Sequence, residues 1–514
     1  MNANFRRLIF LAFVLTTLAC AAALWADPPS RVGRLKLIDG VVSFMPVALD
    51  DWAPATSNYP LTTGDSLWTA AGARVELRLG SAAVRLGAET EFSILLLDDR
   101  AVQLRLLRGS LHVRLRELQS DESFDVATPV ADISLLEPGS YRINVRAGGA
   151  TEIVVRSGQA RMDTEAASVT VLPNQQAAVT VRDTVAFGFR VAPAPDEWEL
   201  WCTQRDRRED RYASTRYVPT TMVGYEDLDE WGSWLVLPDH GIAWRPKGVA
   251  VGWAPYRFGR WAWVRPWGWT WIDDAPWGFA PFHYGRWVSV IGEWYWLPGA
   301  FVARPVYAPA LVVFIGGTDW EQGFTFGAGI GWFPLGPREV YVPPYRASVE
   351  YVRNVNRPYV TGIDAARVDV RNVPYANRAK PGAVTVVSRR TFAGSEPVAP
   401  AAVRLAESEL GRAPVTGTAP SLAPAPDSIQ ARPRGASQPE TRPPVAQRPG
   451  FRLVNPSRES VEQARLEPAV APRAQRKAAS PAGSQQQVKR VRKLVNGPNG
   501  PVWIWVVEEE PGDG

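Results

Sequence analysis

At 514 residues the chain is long enough for two or three domains with cores of their own, and its apolar content of 46% is ordinary for a globular protein. The formal net charge of +5 is unevenly spread: residues 401–500 carry 16 Lys/Arg against 7 Asp/Glu, so the basic character belongs to the tail and a uniformly basic nucleic-acid-binding surface is excluded. Three scattered histidines and two distant cysteines supply no metal-ligand set, and neither a P-loop nor a dinucleotide fingerprint is present, so no cofactor is expected.

The first 26 residues read as a secretory signal. Arg6 and Arg7 form a positive start, Leu8 to Ala23 an apolar run, and Leu24-Trp25-Ala26 a cleavage site. The run is short against the roughly 20 residues of a membrane span, and no later segment is apolar enough, so the mature chain is expected to be periplasmic or secreted without a transmembrane helix. Cleavage after Ala26 removes Cys20 and leaves Cys202 as a single thiol, which precludes an intrachain disulfide.

Residues 33–187 read as consecutive short strands. RVELRL (74–79) alternates, with Arg74, Glu76 and Arg78 on one side and Val75, Leu77 and Leu79 on the other, as in a half-buried strand. AVRL (83–86), FSILLL (92–97), VQLRLL (102–107), SLHVRL (110–115), SYRINV (140–145), TEIVVR (151–156), SVTVL (168–172) and AAVTV (177–181) continue the series. Glycines such as Gly80, Gly109, Gly139 and Gly158 are expected at the turns. Regular turns at this spacing predict a sandwich, barrel or solenoid. PLTTGDSLWT (60–69), LLRGSLHVRL (106–115), FDVATPVADISLLEPGSYRINV (124–145) and VVRSGQARM (154–162) together resemble the periplasmic FecR-type domain. That resemblance implies an envelope compartment and a role in sensing a signal and controlling a sigma factor. In that family the role needs a cytoplasmic helical segment and a transmembrane helix ahead of the β domain, and the stretch before Gly33 is expected to supply only a signal peptide.

Residues 196–216 change character. Trp198, Trp201 and Cys202 have the spacing of one helix face, so a linker helix is expected that docks its tryptophans on the following domain and turns its Arg/Asp/Glu run to solvent. Of the 22 tryptophans, 17 lie between Trp198 and Trp332, and residues 217–345 contain a repeat that accounts for many of them. WAPYRFGRWAWV (253–264) matches FAPFHYGRWVSV (279–290) at an offset of 26, and each is followed by a Trp-rich strand, WGWTWIDD (267–274) or GEWYWLPG (292–299). EWGSWLVLP (230–238) and GWFPLGPREVY (331–341) are degenerate copies. Trp267, Trp269 and Trp271 are expected to share one strand face. Gly259 and Gly285 expose backbone for a ring to cover, and Arg260 and Arg286 are placed to stack on indole. GYEDLDEWGSW (224–234), the span 252–288, YAPALVVFIGG (307–317) and GWFPLGPREVYVPPY (331–345) resemble DUF6600, a tryptophan-rich domain that often follows FecR-like domains in bacterial exported proteins. The resemblance implies no assigned activity.

Residues 346–392 are expected to extend this domain with two or three strands drawn from 352–360 and 381–392. The stretch 393–488 is rich in Pro, Ala, Ser, Arg and Gln and poor in aromatics, and is expected to be disordered. Residues 489–514 read as a hairpin turning at Asn499-Gly500. The fold class is therefore all-β, with a short linker helix and a basic tail.

Catalytic chemistry finds little support. Asp273 and Asp274 are the most suggestive acid pair, yet adjacent turn residues do not meet the roughly 5–9.5 Å separation of glycosidase carboxylates, and an Asx-type turn explains them. No G-x-S-x-G motif occurs. Cys202 reads as a packed thiol, His112 as a surface or half-buried strand residue, His240 as a turn residue and His283 as part of the repeat. No catalytic or metal residue is expected, and no enzymatic activity. The expected function is that of an envelope interaction or scaffolding protein. It would bind a protein or glycan partner through a minority of exposed aromatic residues, namely Trp267, Trp269, Trp271, Trp294 and Trp296 with Arg260 and Arg286. A FecR-type signal-sensing regulator and a cell-wall glycan hydrolase are the alternatives.

Overall fold

The computed structural model describes residues 27–432, except 50, 147, 182–184, 317–328, 361, 363–368, 407–408, 411–412 and 418, with 181 and 185 as backbone alone, together with the backbone of 489–508 except 498–499. The expected signal peptide and most of the tail lie outside the described residues. The chain forms two compact units, one running to Pro443 and one from Pro444. The stretches 33–187 and 217–345 fall in the same unit.

The strands of the first part are β1 (Gly33–Asp39), β2 (Val42–Met45), β3 (Ala53–Pro54), β4 (Pro60–Leu61), β5 (Ser66–Thr69), β6 (Arg74–Leu79), β7 (Ala82–Leu86), β8 (Glu91–Leu97), β9 (Ala101–Leu115), β10 (Ser123–Ala127), β11 (Asp132–Leu135), β12 (Gly139–Val145), β13 (Thr151–Ser157), β14 (Ala160–Asp163), β15 (Ser168–Val171), β16 (Gln175–Val181) and β17 (Val185–Val191). They form two sheets that share β9. Sheet A runs β4-β1-β6-β7-β9-β12-β13-β16-β17, and sheet B runs β3-β2-β5-β8-β9-β10-β11-β14-β15. The pairing is antiparallel throughout except between β9 and β10. A two-sheet architecture with alternating inner residues is the sandwich among the folds the pattern allowed.

Gly109 does not end a strand. It sits inside the 15-residue β9 at φ +93°, where the first half of the strand pairs in sheet B and the second half in sheet A. A Cβ there would lie 2.3 Å from Thr90 Oγ1, so glycine lets the strand bend from one sheet into the other. Val75, Leu77, Leu79, Val84, Leu86, Leu104, Leu106, Val113 and Ile143 fill the space between the sheets.

The other side of sheet A corrects the reading of half-buried strands. Glu76, Arg78, Arg85 and His112 are all buried on it. What covers them is helix α1 (Glu197–Glu209), whose N-cap Asp196 accepts from the Glu199 N–H. Its buried residues are Glu199, Cys202, Asp206 and Glu209, spaced three, four and three apart. The acidic part of the expected solvent face is thus the docked face, because the sheet opposite offers arginines. The tryptophans also dock backwards. Trp198 lies edge-on to His112 at 6.3 Å with Arg142 over its ring at 5.1 Å, and Trp201 lies under Arg74 and Arg205 at 4.5 and 5.2 Å. Trp198 thus meets the preceding β domain, and Trp201 meets that domain through Arg74 and its own helix through Arg205.

The Trp-rich part is built of hairpins: β18 (Gly232–Leu237) with β19 (Gly241–Pro246), β20 (Gly259–Val264) with β21 (Gly268–Asp273), and β22 (Arg286–Val290) with β23 (Glu293–Leu297). Each opens with Gly-x-Trp, Gly285 standing just ahead of β22, and each pairs that Trp with one on the return strand: Trp234 with Trp244, Trp261 with Trp271, and Trp287 with Trp296. The return-strand indole covers the glycine. A Cβ on Gly232, Gly259 or Gly285 would come 2.0 Å from Trp244, 2.7 Å from Trp271 or 2.0 Å from Trp296. That is the physical content of the repeat: a glycine makes room for a ring, and the ring caps the hairpin.

β24 (Val312–Ile315) and β25 (Gly329–Pro334) form a further sheet with β26 (Thr385–Ser388) and β27 (Val415–Thr416), in the order β26-β25-β24-β27. The strands expected from 352–360 are replaced by helix α2 (Val349–Asn356), capped by Ser348 and burying Tyr351, Val355 and Asn356 on one face. The described residues of 393–432, part of the expected disordered stretch, pack on the fold: Val398, Ala413, Val415 and Ala431 are buried, and the Tyr59 hydroxyl donates to Ile429 O at 2.7 Å. Isolated apolar residues between prolines suffice to pin it, since the prolines lower the entropy that must be lost. The second unit contains the expected hairpin, β28 (Lys489–Gly497) with β29 (Gly500–Glu508). Gly500, expected in the turn, instead begins β29 and pairs with Gly497, while Asn499 lies outside the described residues.

Candidate functional site

The tryptophans expected to form an exposed binding platform are buried. Trp267, Trp269, Trp271, Trp294 and Trp296 are at most 6% exposed. Trp267 packs on Tyr307 at 4.7 Å and lies in the turn before β21, while Trp269 meets Trp263 and Phe392. Trp271 donates to Asp273 Oδ2 at 3.0 Å, and Trp296 donates to Tyr284 O at 2.8 Å. Both faces of β21 are buried, so alternation there separates two interiors and leaves no exposed face. Large rings are the first to be covered when a core lies on either side.

The two arginines occupy unlike places. Arg286 is buried, donates to Glu339 O and to Asn356 Oδ1 at 3.0 and 2.9 Å, and lies over Tyr359 at 4.2 Å instead of over an indole. Arg260 stays near the surface and pairs with Asp274 at 2.9 Å. Asp273 is buried and accepts from Trp271 Nε1 and from the Ala275 N–H, which is the Asx-type turn. Burial pushes its carboxyl well above the ordinary range. The backbone of this turn is itself a socket: Asn58 donates to Asp273 O and Ala275 O at 2.9 and 2.8 Å, and Arg34 to Pro276 O at 2.8 Å. The repeat is therefore plugged into the β-sandwich through two polar residues of the sandwich. Of the histidines, His112 is buried instead of half-exposed, and His283 is buried with Nδ1 2.9 Å from Ala308 O. Burial first, helped by nearby arginines, lowers both rings to about 3.

Charge is gathered between sheet A, α1 and the turn Tyr225-Glu226-Asp227 of the Trp-rich part. Register aligns Glu76, Arg85, His112 and Arg142 across β6, β7, β9 and β12. Glu199 meets Arg156 at 2.8 Å and Arg142 at 3.5 Å. Asp206 lies 2.8 Å from Arg85. Glu209 accepts from Arg78 at 2.8 Å and from the Tyr225 hydroxyl at 2.6 Å, and lies 3.2 Å from Arg116. Glu226 lies 3.1 Å from Arg34 and 3.5 Å from Arg78, and Asp227 pairs with Arg34 and with Lys36. At the centre, Glu76 joins Arg85 at 2.8 Å, Arg78 at 3.0 Å, Lys36 at 3.6 Å and Arg205.

Burial alone would raise these carboxyls. The cations outweigh it, holding Glu76 and Asp227 below their ordinary range and Glu209 at about 2. Cys202, in the same seam, is a buried thiol pushed up to about 12, chiefly by burial. The arrangement locks three segments together by charge. One signal in the sequence pointed to it: the outward positions of β6, β7, β9 and β12 hold Arg78, Arg85, Arg114 and Arg142, with no lysine among them, and arginine is the cation suited to buried multidentate pairing.

Two family profiles match the chain: FecR protein over residues 65–161, and a family of unknown function, DUF6600, over 225–339. The chain thus carries a FecR-like region followed by a DUF6600 region. No curated protein matches it. Among solved structures, two crystal structures of a candidate anti-sigma factor from Parabacteroides distasonis ATCC 8503, at 1.65 and 2.50 Å, align at 17% and 18% identity with a TM-score of 0.23. The alignment covers 25% of this chain and 60% of each of those.

Proposed function

We propose that this is an exported, non-catalytic interaction or scaffolding protein of the bacterial envelope. In this reading the FecR-like sandwich and the Trp-rich part bind a protein or glycan partner as one body. The buried charged seam carries the reading, because it joins the two parts through Arg34, Lys36, Arg78, Glu209, Glu226 and Asp227 and makes the Trp-rich part a structural brace. The acids that suggested a hydrolase are engaged otherwise, Asp273 in its turn and Asp274 with Arg260. A FecR-type signal-sensing regulator is the second reading, favoured by the FecR match over 65–161.

The test is affinity capture from a bacterial envelope extract with the mature 27–514 protein, followed by reconstitution with the purified partner and, in parallel, co-sedimentation with purified peptidoglycan. A saturable, stoichiometric complex supports the interaction reading. Recovery of a sigma-factor regulatory component instead supports the second. Glycan cleavage abolished by Asp273→Asn would overturn both.

A further inference from the structure

We infer that the β17 edge of the sandwich is a self-association surface at which a second copy of this chain adds its own β17, antiparallel, to continue sheet A. Among the described residues β17 hydrogen-bonds only to β16, so its other edge is open. It has little of the usual protection of an edge strand: it is seven residues long, without proline or lysine, its one charge is Arg190, and no bulge interrupts its register with β16. Phe187 and Phe189 lie opposite Val179 and Ala177, both buried, so they extend the apolar inner face of the sandwich. That face is unfinished, with Phe189 53% and Val191 81% exposed.

The sequence of the strand says what finishes it. Val185-Ala186-Phe187-Gly188-Phe189-Arg190-Val191 is nearly palindromic about Gly188. A two-fold axis through Gly188 sets Phe187 of one copy against Phe189 of the other, Val185 against Val191, and Ala186 against Arg190. No like charges meet, and each copy presents the same patch to the other, as a two-fold interface requires. Hydrogen bonding agrees. The Ala192 N–H donates to Asn174 O, and alternation from that bond turns the N–H and C=O groups of 185, 187, 189 and 191 outward. Those four residues per strand can exchange about eight hydrogen bonds across the axis. A strand from another protein could occupy the same edge, but it would not account for the palindrome.

The test uses the mature 27–514 chain. Sedimentation equilibrium should give a dimer, and Phe189→Lys should raise its dissociation constant about tenfold or more. Gly188→Cys is the discriminating variant. Nothing lies within 4 Å of a Cβ at Gly188, and facing residues on the axis would sit about 4.5 Å apart, within disulfide range. The natural Cys202 is buried and stays out of the reaction. Mild oxidation should convert Gly188→Cys, but not the exposed control Val251→Cys, to a covalent dimer. A chain that stays monomeric to about 100 μM overturns the inference and leaves the edge to a partner strand. So does a dimer in which Gly188→Cys cross-links no better than the control, whatever Phe189→Lys does.

Discussion

Replacing Glu76 by glutamine should cost this fold about 3–5 kcal/mol, the usual consequence of removing one partner from a buried ion pair. The upper half of that range applies because four cations share the carboxylate. Arg85 and Arg78 lie 2.8 and 3.0 Å away, Lys36 lies 3.6 Å away, Arg205 also contacts it, and Glu76 itself is fully buried. Glutamine keeps the size and one acceptor oxygen, so the loss isolates charge from packing. Against a global stability of about 5–15 kcal/mol for a domain, this is a large fraction. Urea unfolding at pH 7.5, followed by tryptophan fluorescence and far-UV circular dichroism, measures it. The double variant Glu76→Gln/Arg85→Met should recover part of the loss, because removing both partners leaves less charge uncompensated, and a coupling of about 0.5–3 kcal/mol is expected. A single variant within about 1 kcal/mol of the parent, or strict additivity in the cycle, would refute the view that charge closes this seam.

His112 titrates at about 3 in the folded chain against about 6.5 when unfolded, so protons bind the unfolded state preferentially below pH 6.5 and stability falls as pH drops through that window. Between pH 7.5 and pH 5 the loss is about 2 kcal/mol, and the stability gap between the parent and His112→Gln should narrow by that amount; a gap independent of pH in parallel unfolding curves would contradict it. Trp261→Ala and Trp287→Ala should each destabilise by about 3–5 kcal/mol, since both rings are buried; thermal melts that leave either variant within about 1 kcal/mol of the parent would show that the ring is dispensable to the core. Limited trypsin digestion of the mature protein should leave a fragment that retains Val398 and Val415, both buried, and mass spectrometry that finds the chain trimmed back past Val398 would show the 393–432 segment to be loose.

Strand positions in the sandwich were legible because alternation and glycine spacing are local. β6, β8, β12 and β13 coincide with the expected runs to within one residue at either end. Gly109 misled because a left-handed glycine serves a bend within a strand as well as a turn between two, and only the choice of neighbours on each side separates them. The repeat was legible as a repeat, and the rings at its equivalent positions, Trp261 and Trp287, are both buried. What could not be read was the exposure of the other rings. A strand buried on both faces has the same Trp-x-Trp pattern as one with a wet face, and the second layer over β21 comes from residues as distant as Phe392. Helix α2 was missed for a similar reason: Tyr351, Val352 and Val355 fit a short strand as well as a helix, and the Ser348 cap decides between them.

The charged faces of sheet A and α1 were each read as solvated because each was considered alone. Together they specify a registry. Along α1, Glu199 answers Arg142 and Arg156, Asp206 answers Arg85, and Glu209 answers Arg78 and Arg116. Sliding the helix one turn, about 5.4 Å, would set Cys202 where a carboxylate now stands and leave at least one of these arginines buried without a partner. An apolar seam would tolerate such a slide at the cost of some packing, whereas this one would forfeit several kcal/mol for each stranded charge. The turn Tyr225-Glu226-Asp227 reaches the same arginines from the Trp-rich part, so the registry of α1 on the sandwich also fixes where the first hairpin, β18–β19, begins. Hydrophobic burial forms one continuous core across the sandwich and the Trp-rich part, and the alternating signs of the seam determine that they meet in one way.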